Sequence, residues 1–120
     1  MKLGEVCLLT GDVCRLADFY RKLMDIRETN TDPVHQFITS QEPSLAVYCD
    51  GLKHDAARSP VSLAFTVEDI HASYQKLLSL KAEIVQPPTQ QPWGAVNLAF
   101  RDPDGNLVYL RQMLSKGEPI

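Results

Sequence analysis

The sequence contains one succession of patterns twice, and this internal repeat limits the folds open to a chain of 120 residues. In each half, a short apolar strand, over residues 3–9 and again over 61–67, precedes an aspartate that can cap a helix, Asp12 or Asp69. Apolar side chains then recur at helical spacing, and further strands follow. Two local matches keep the same order, Tyr20-x-Lys22-Leu23-Met24 with Tyr74-x-Lys76-Leu77-Leu78 and Val47-Tyr48 with Val108-Tyr109. We therefore predict an α+β protein of two similar half-modules.

Turn residues separate the remaining strands that the pattern predicts. These strands cover residues 35–39, 45–49, 82–85, 95–101 and 107–112. The sequence Gln86-Pro87-Pro88 is expected to end the strand over 82–85, because proline donates no backbone hydrogen bond. The segment 102–106 is expected to join the last two strands as a tight turn, since it combines proline, glycine and asparagine. We accordingly attribute Asp102 and Asp104 to turn chemistry rather than to catalysis.

The length is that of a single domain, large enough to bury a core without disulfides or metal. Module one is expected to cover about residues 1–50 and module two about residues 61–114. Between them, residues 51–60 are polar and end at Pro60, so we interpret them as a linker.

Charge and cysteine content restrict the partners and the compartment. A net charge of −3 and a pI near 5.5 argue against nucleic acid or an anionic membrane as a partner. No apolar run approaches the length of a membrane span, and residues 1–14 are not expected to act as a signal peptide, because their apolar stretch is short and interrupted by charges. Cys7, Cys14 and Cys49 have no metal-binding spacing and are expected to be free thiols. These features favour a cytoplasmic protein.

The most specific motif of the chain lies near its C-terminal end. It reads Pro92-Trp93-Gly94 and, after five intervening residues, Phe100-Arg101-Asp102-Pro103-Asp104-Gly105-Asn106. This resembles the "PWG…F-x-DPDGN" signature of the glyoxalase/bleomycin-resistance proteins, the vicinal oxygen chelate superfamily. Two further motifs resemble that family in the expected order, Asp12-…-Phe19-Tyr20-…-Leu23 and Leu63-Ala64-Phe65-x-Val67-x-Asp69. The resemblance implies two βαβββ modules whose mixed sheets curl around a cavity, and it implies a homodimer.

The resemblance also implies four positions at which enzymes of the family hold a divalent metal, usually with His and Glu. Carried over to this chain, they fall on Glu5, Tyr48, Ser62 and Tyr109, with Tyr48 placed by the internal repeat. Only Glu5 is an ordinary ligand for such a metal. We therefore expect no metal site and no cofactor.

The same four side chains are expected to line the cavity instead, because residues two apart on a strand share a face. Trp93 is a candidate stacking surface for a planar ligand, and His35 is a candidate at the cavity mouth. Such a lining favours a neutral or cationic organic molecule. The alternatives are structural: Glu5 at a solvated strand edge, and tyrosines that only pack on the sheet.

Three functions remain open at this point. The first is a metal-free small-molecule-binding protein, which the missing His and Glu ligands favour. The second is a lyase, isomerase or dioxygenase in which Glu5 acts as a general base or as part of an atypical metal site with His35. The third is a subunit whose cavity has closed and whose sheet edge contacts another protein.

Overall fold

The computed structural model describes residues 1–114, which form two compact units that divide between Asp55 and Ala56. In the first unit, the elements are β1 (Glu5–Leu9), α1 (Val13–Leu23), β2 (His35–Thr39) and β3 (Ser44–Tyr48). Its sheet has the order β1-β3-β2, in which β1 is parallel and β2 antiparallel to the central strand β3. Helix α1 packs against β2 and β3.

The second unit begins with a short 3-10 helix, Ala56–Arg58. Its other elements are β4 (Leu63–Thr66), α2 (Ile70–Ser79), β5 (Glu83–Gln91), β6 (Ala95–Arg101) and β7 (Leu107–Met113). The sheet order is β4-β7-β6-β5, with β4 parallel to β7 and the other pairs antiparallel. The predicted α+β class is confirmed, although the first sheet has three strands among the described residues and the second has four.

The two helices begin where the sequence predicts, and for the predicted reason. The Asp12 carboxylate accepts a hydrogen bond from the backbone N–H of Arg15, at 3.1 Å. The Asp69 carboxylate accepts from the N–H groups of His71 and Ala72, both at 3.1 Å. These groups would otherwise have no partner in the first helical turn. The centre of the apolar side of α1 is fully buried, with Leu16, Ala17 and Tyr20 at 0% exposure.

The predicted break at Gln86-Pro87-Pro88 is wrong. Strand β5 runs through both prolines, from Glu83 to Gln91. Among the described strands it lies at the edge of the sheet and pairs only with β6, and the register shifts between Gln86 and Thr89. Prolines are tolerated on an edge strand at such an irregularity, because no ladder hydrogen bond requires their missing N–H.

One buried carboxylate, that of Asp102, organises the turn between β6 and β7, which is the role that the sequence predicts for it. Asp102, which is 4% exposed, accepts from the backbone N–H groups of Asp104 and Asn106, both at 3.0 Å. It also accepts from the Asn106 side-chain amide at 2.9 Å. Gly105 takes a positive φ of 95°, a conformation that other residues rarely adopt. The most family-specific motif of the chain therefore shapes a hairpin.

None of the helices within residues 1–114 combines the length and the apolar character needed to cross a membrane.

Candidate functional site

The candidate site lies on the face of the second sheet opposite helix α2. Small side chains on two strands, Ala64 of β4 and Ala95 of β6, leave a concavity of about 470 Å³ there. This volume is within the range of small-molecule sites, about 300–1,000 Å³. Every residue that lines the concavity belongs to the second unit.

Strand β7 contributes three lining side chains, Tyr109, Arg111 and Met113. They share a face because side chains two residues apart point the same way from a strand. The alternate residues, Val108 and Leu110, are buried on the other face. Strand β7 therefore places a phenol, a guanidinium and a thioether in a row across the concavity.

Arg111 is fixed by the strand beside it. It pairs in register with Thr66 of β4, and its Nε donates a hydrogen bond to Thr66 Oγ1 at 3.0 Å. Arg111 is the single charged side chain among the nine described residues that line the concavity, and residues 1–114 contribute no carboxylate to this lining. The electrostatic field of the lining is therefore positive near this guanidinium.

Amide side chains supply most of the remaining polar lining, from Gln86 and Gln91 on β5 and Asn97 on β6. Asn97 pairs in register with Arg111 across β6 and β7. Its Oδ1 is buried and has no hydrogen-bond partner among residues 1–114. A buried acceptor of this kind is uncommon in a folded protein, and it is a specific place for a ligand donor.

Trp93 stands at the rim, in the turn that joins β5 to β6. The next residue, Gly94, has a φ of 87°, and its carbonyl accepts from the Leu114 N–H at 2.9 Å. The turn is thus tied to Leu114, the residue after β7, while 66% of Trp93 remains exposed. An exposed indole beside a concavity offers an aromatic surface for stacking.

The site residues that the sequence predicts are distributed over both units. Trp93 and Tyr109 line the concavity. Ser62 is exposed, immediately precedes β4 and is not among the lining residues. Glu5, His35 and Tyr48 belong to the sheet of the first unit.

In the first unit, three aromatic rings form a cluster on one sheet face. The His35 ring lies 4.8 Å from that of Phe37, in an edge-to-face arrangement, and 6.3 Å from that of Tyr48. Phe37 and Tyr48 are both partly exposed, at 49% and 38%. His35 and Tyr48 are therefore neighbours, as a shared site would require.

Glu5 is exposed at the start of β1 and accepts a hydrogen bond from Ser44 Oγ at 3.3 Å. Its neighbour on the same face is Cys7. Partial burial and, after it, the negative charge of Glu5 raise the pKa of the Cys7 thiol. Glu5 pairs with Ser44, which precedes Tyr48 by four residues on β3. Four residues of a strand span about 13 Å, so Tyr48 lies at the other end of this face from Glu5.

The pairing register corrects the internal repeat that placed Tyr48. In the first unit, Tyr48 O accepts from Thr10 N at 3.0 Å, two residues before the helix cap. In the second unit, Arg111 O accepts from Val67 N at 2.8 Å, again two residues before the cap. Tyr48 therefore corresponds to Arg111, although the local sequence match aligned it with Tyr109.

By the same register, the first-unit equivalent of Tyr109 is Ala46, since Ala46 pairs with Cys7 as Tyr109 pairs with Ala64. The four family positions then hold Glu5, Ala46, Ser62 and Tyr109, a set with a single ordinary metal ligand. Within residues 1–114, no three side chains of His, Cys, Asp or Glu are grouped so that they could hold a metal. The donor set does not fit the divalent metal of the family.

Of the nine described lining residues, the sequence predicted Trp93 and Tyr109; the residues it missed include Gln86, Gln91, Asn97 and Met113. Asn97 carried a usable signal, because it is the one polar residue inside the apolar run 95–100. The two glutamines carried none, since their side of the sheet depends on β5 continuing past its prolines. Met113 lies one residue beyond the predicted end of β7.

Comparison with known proteins agrees with this architecture. The family model of the Glyoxalase/Bleomycin resistance protein/Dioxygenase superfamily matches residues 2–110. The uncharacterized protein YetH of Bacillus subtilis is 30% identical over 71 residues, which cover 59% of this chain and 58% of that relative. The matched part of this chain thus spans less than two thirds of the relative's length.

Solved structures show the same fold at low sequence identity. A glyoxalase/bleomycin resistance protein/dioxygenase from Nocardioides has a TM-score of 0.73 and 19% identity, covering 100% of this chain and 88% of its own. A glyoxalase-related enzyme from Fulvimarina pelagi has a TM-score of 0.75 and 19% identity, covering 99% and 91%. These structures confirm the expected fold of two βαβββ modules. The chain belongs to the glyoxalase/bleomycin resistance protein/dioxygenase superfamily.

Proposed function

We propose that this protein binds a small organic molecule in the concavity of the second sheet and that it does so without a metal. The observation that carries the proposal is the lining itself. A floor of alanines lies between a guanidinium, three amides, a phenol and an exposed indole, in a volume of about 470 Å³. Binding sites for small molecules combine apolar surface with a few polar groups that orient the ligand in this way.

The metal-free part of the proposal is supported by the chemistry of the side chains. Tyr109 contributes a phenol, which is not among the usual protein ligands of Zn²⁺ or Mn²⁺. The other lining groups supplied by the described part of the chain are amides, a guanidinium, a thioether and hydrocarbon, none of which is a usual ligand for Zn²⁺ or Mn²⁺. Hydrogen bonds and stacking are the interactions that such a lining can supply.

Catalysis by Glu5, homodimerisation and a cytoplasmic location stay predictions from the sequence. Glu5 is the residue on which the enzyme hypothesis depends, and it is exposed in the first unit. No further observation favours a reaction over binding.

The proposal is tested by a fragment screen that uses Trp93, the only tryptophan of the chain, as a fluorescent reporter. We expect saturable changes in emission with a subset of fragments. Ala64→Leu, which fills the floor of the concavity, should weaken these fragments about tenfold or more. The matched control is Ala72→Leu on the exposed side of α2, which should bind as the wild type does. A screen without responses, or equal responses from both variants, would refute binding at this place.

A further inference from the structure

The charge of the concavity narrows the class of ligand. Arg111 brings one positive charge to the lining, and no lining residue within positions 1–114 brings a negative one. Arg111 also forms no ion pair with any carboxylate among residues 1–114. An anionic group of a ligand could therefore bind this guanidinium without displacing a carboxylate of residues 1–114.

The hydrogen bonds of Arg111 leave the end of its guanidinium available. Nε is used by Thr66 Oγ1, which orients the planar group over the sheet. No hydrogen bond from the two terminal nitrogens is found within residues 1–114. A carboxylate matches this end of a guanidinium, because its two oxygens can accept two parallel N–H bonds.

Asn97 adds a requirement for a donor next to that anion. Asn97 and Arg111 are directly opposite on β6 and β7, a placement that separates their Cβ atoms by about 5 Å. Asn97 Oδ1 is buried and without a partner in the described residues. Leaving a buried acceptor unpaired is unfavourable, so a ligand that donates an O–H or N–H bond to it gains affinity.

We infer that the concavity recognises an organic acid that carries an O–H or N–H donor close to its carboxylate. The carboxylate binds the Arg111 guanidinium, and the donor binds Asn97 Oδ1. This inference rests on the proposed binding function and specifies the ligand class of the same site. It replaces the neutral or cationic ligand expected from the sequence, which assumed that Glu5 would supply the charge of the cavity.

The inference is tested with three related probes, mandelate, phenylacetate and mandelamide, by titration of Trp93 fluorescence. Phenylacetate lacks the hydroxyl donor of mandelate, and mandelamide replaces its carboxylate with a neutral amide. We expect mandelate to bind tightest, mandelamide about tenfold or more weakly, and phenylacetate about threefold or more weakly.

Variants assign each preference to one side chain. Arg111→Gln should remove the preference for mandelate over mandelamide, and Asn97→Leu should remove the preference for mandelate over phenylacetate. Arg111 is exposed, so its replacement should leave the thermal stability unchanged. Lys53→Gln, a charge change at an exposed site of the first unit, is the control and should keep both preferences.

The outcomes separate this inference from the function on which it rests. Equal affinity for the three probes, or preferences that survive in both variants, would overturn the inference. The inference would also be overturned if neutral or cationic fragments bind, Ala64→Leu weakens their binding, and mandelate does not bind. In that case the proposed binding function would still stand. A protein that responds to no fragment and to none of the three probes contradicts both.

Discussion

Arg111 and Thr66 are paired across the parallel strands β7 and β4, and the Arg111 Nε donates to Thr66 Oγ1 at 3.0 Å. This contact holds the only charged group that the described residues bring to the concavity at a defined place on the sheet. A long arginine side chain otherwise loses conformational entropy when it binds an anion. The threonine hydroxyl reduces that cost, because the guanidinium is already oriented in the free protein.

Thr66→Val keeps the size and branching of the side chain and removes the acceptor. We expect mandelate binding to weaken about three- to tenfold, the effect of one lost hydrogen bond. Thermal stability should change little, since Thr66 is exposed. Fluorescence titration of Trp93 measures the first effect and thermal denaturation the second. Thr29→Val, at an exposed site of the first unit, is the matched control, and a loss of the same size in both variants would contradict a local role for Thr66.

The turn after β6 should be a main source of stability in the second unit. Asp102→Ala removes a buried carboxylate together with its hydrogen bonds from Asp104 and Asn106, and we expect the free energy of unfolding to fall by about 2–4 kcal/mol. Asp102→Asn keeps one acceptor oxygen and should cost about half as much. Urea denaturation measures both. Losses below about 0.5 kcal/mol in both variants would show that the motif is not structural.

Asp32 should give the protein a pH-dependent contribution to stability. Its carboxylate accepts from the N–H groups of Val34 and His35, at 2.8 and 3.2 Å, and these bonds lower its pKa. A lowered pKa in the folded state stabilises the protein above the unfolded value of about 3.9 and loses this effect as the pH falls through the folded value. The unfolding free energies of wild type and Asp32→Ala should therefore differ near neutral pH and converge in acid.

Urea denaturation over a series of pH values measures that difference. Glu28→Ala, which removes an exposed carboxylate of the same unit, is the control and should not reproduce the convergence. A difference between wild type and Asp32→Ala that stays constant with pH would be contrary to this account.

Cys7 should react slowly with alkylating reagents although it is exposed. Partial burial and the charge of Glu5 raise the pKa of its thiol, so less of the reactive thiolate is present near neutral pH. Glu5→Gln removes the second effect and should increase the rate of Cys7 alkylation by a few-fold. Site-resolved mass spectrometry follows the rate, with Cys14 as the internal control. An unchanged ratio of the two rates would indicate that Glu5 does not act on the thiol.

The parts of the fold that depend on neighbouring residues could be read from the sequence. Asp12 and Asp69 cap helices because each carboxylate accepts from N–H groups two or three residues later. Asp102 organises its turn in the same local way. Such chemistry is visible in a single chain because its partners lie within a few positions.

The lining of the candidate site could not be predicted in full, because it depends on how the strands pair, and strand pairing is not evident from the sequence of one chain. Pro87 is compatible with a strand only because β5 lies at a sheet edge, and this edge position is a property of the whole sheet. The match of Val47-Tyr48 with Val108-Tyr109 misplaced the repeat by two residues, because two strands of similar composition can be aligned in either register. The pairing of Asn97 with Arg111, which defines the polar end of the concavity, likewise follows from the β6–β7 register.

The central claim is that the concavity of the second sheet binds its ligand without a metal. The most direct measurement is a fluorescence titration of Trp93 with the tightest fragment, first in excess EDTA and then in excess Mn²⁺ or Zn²⁺. We predict the same dissociation constant in all three conditions and a loss of affinity in Ala64→Leu in each of them. Binding that disappears in EDTA and returns with metal would contradict the claim and would direct attention to a metal-dependent reaction.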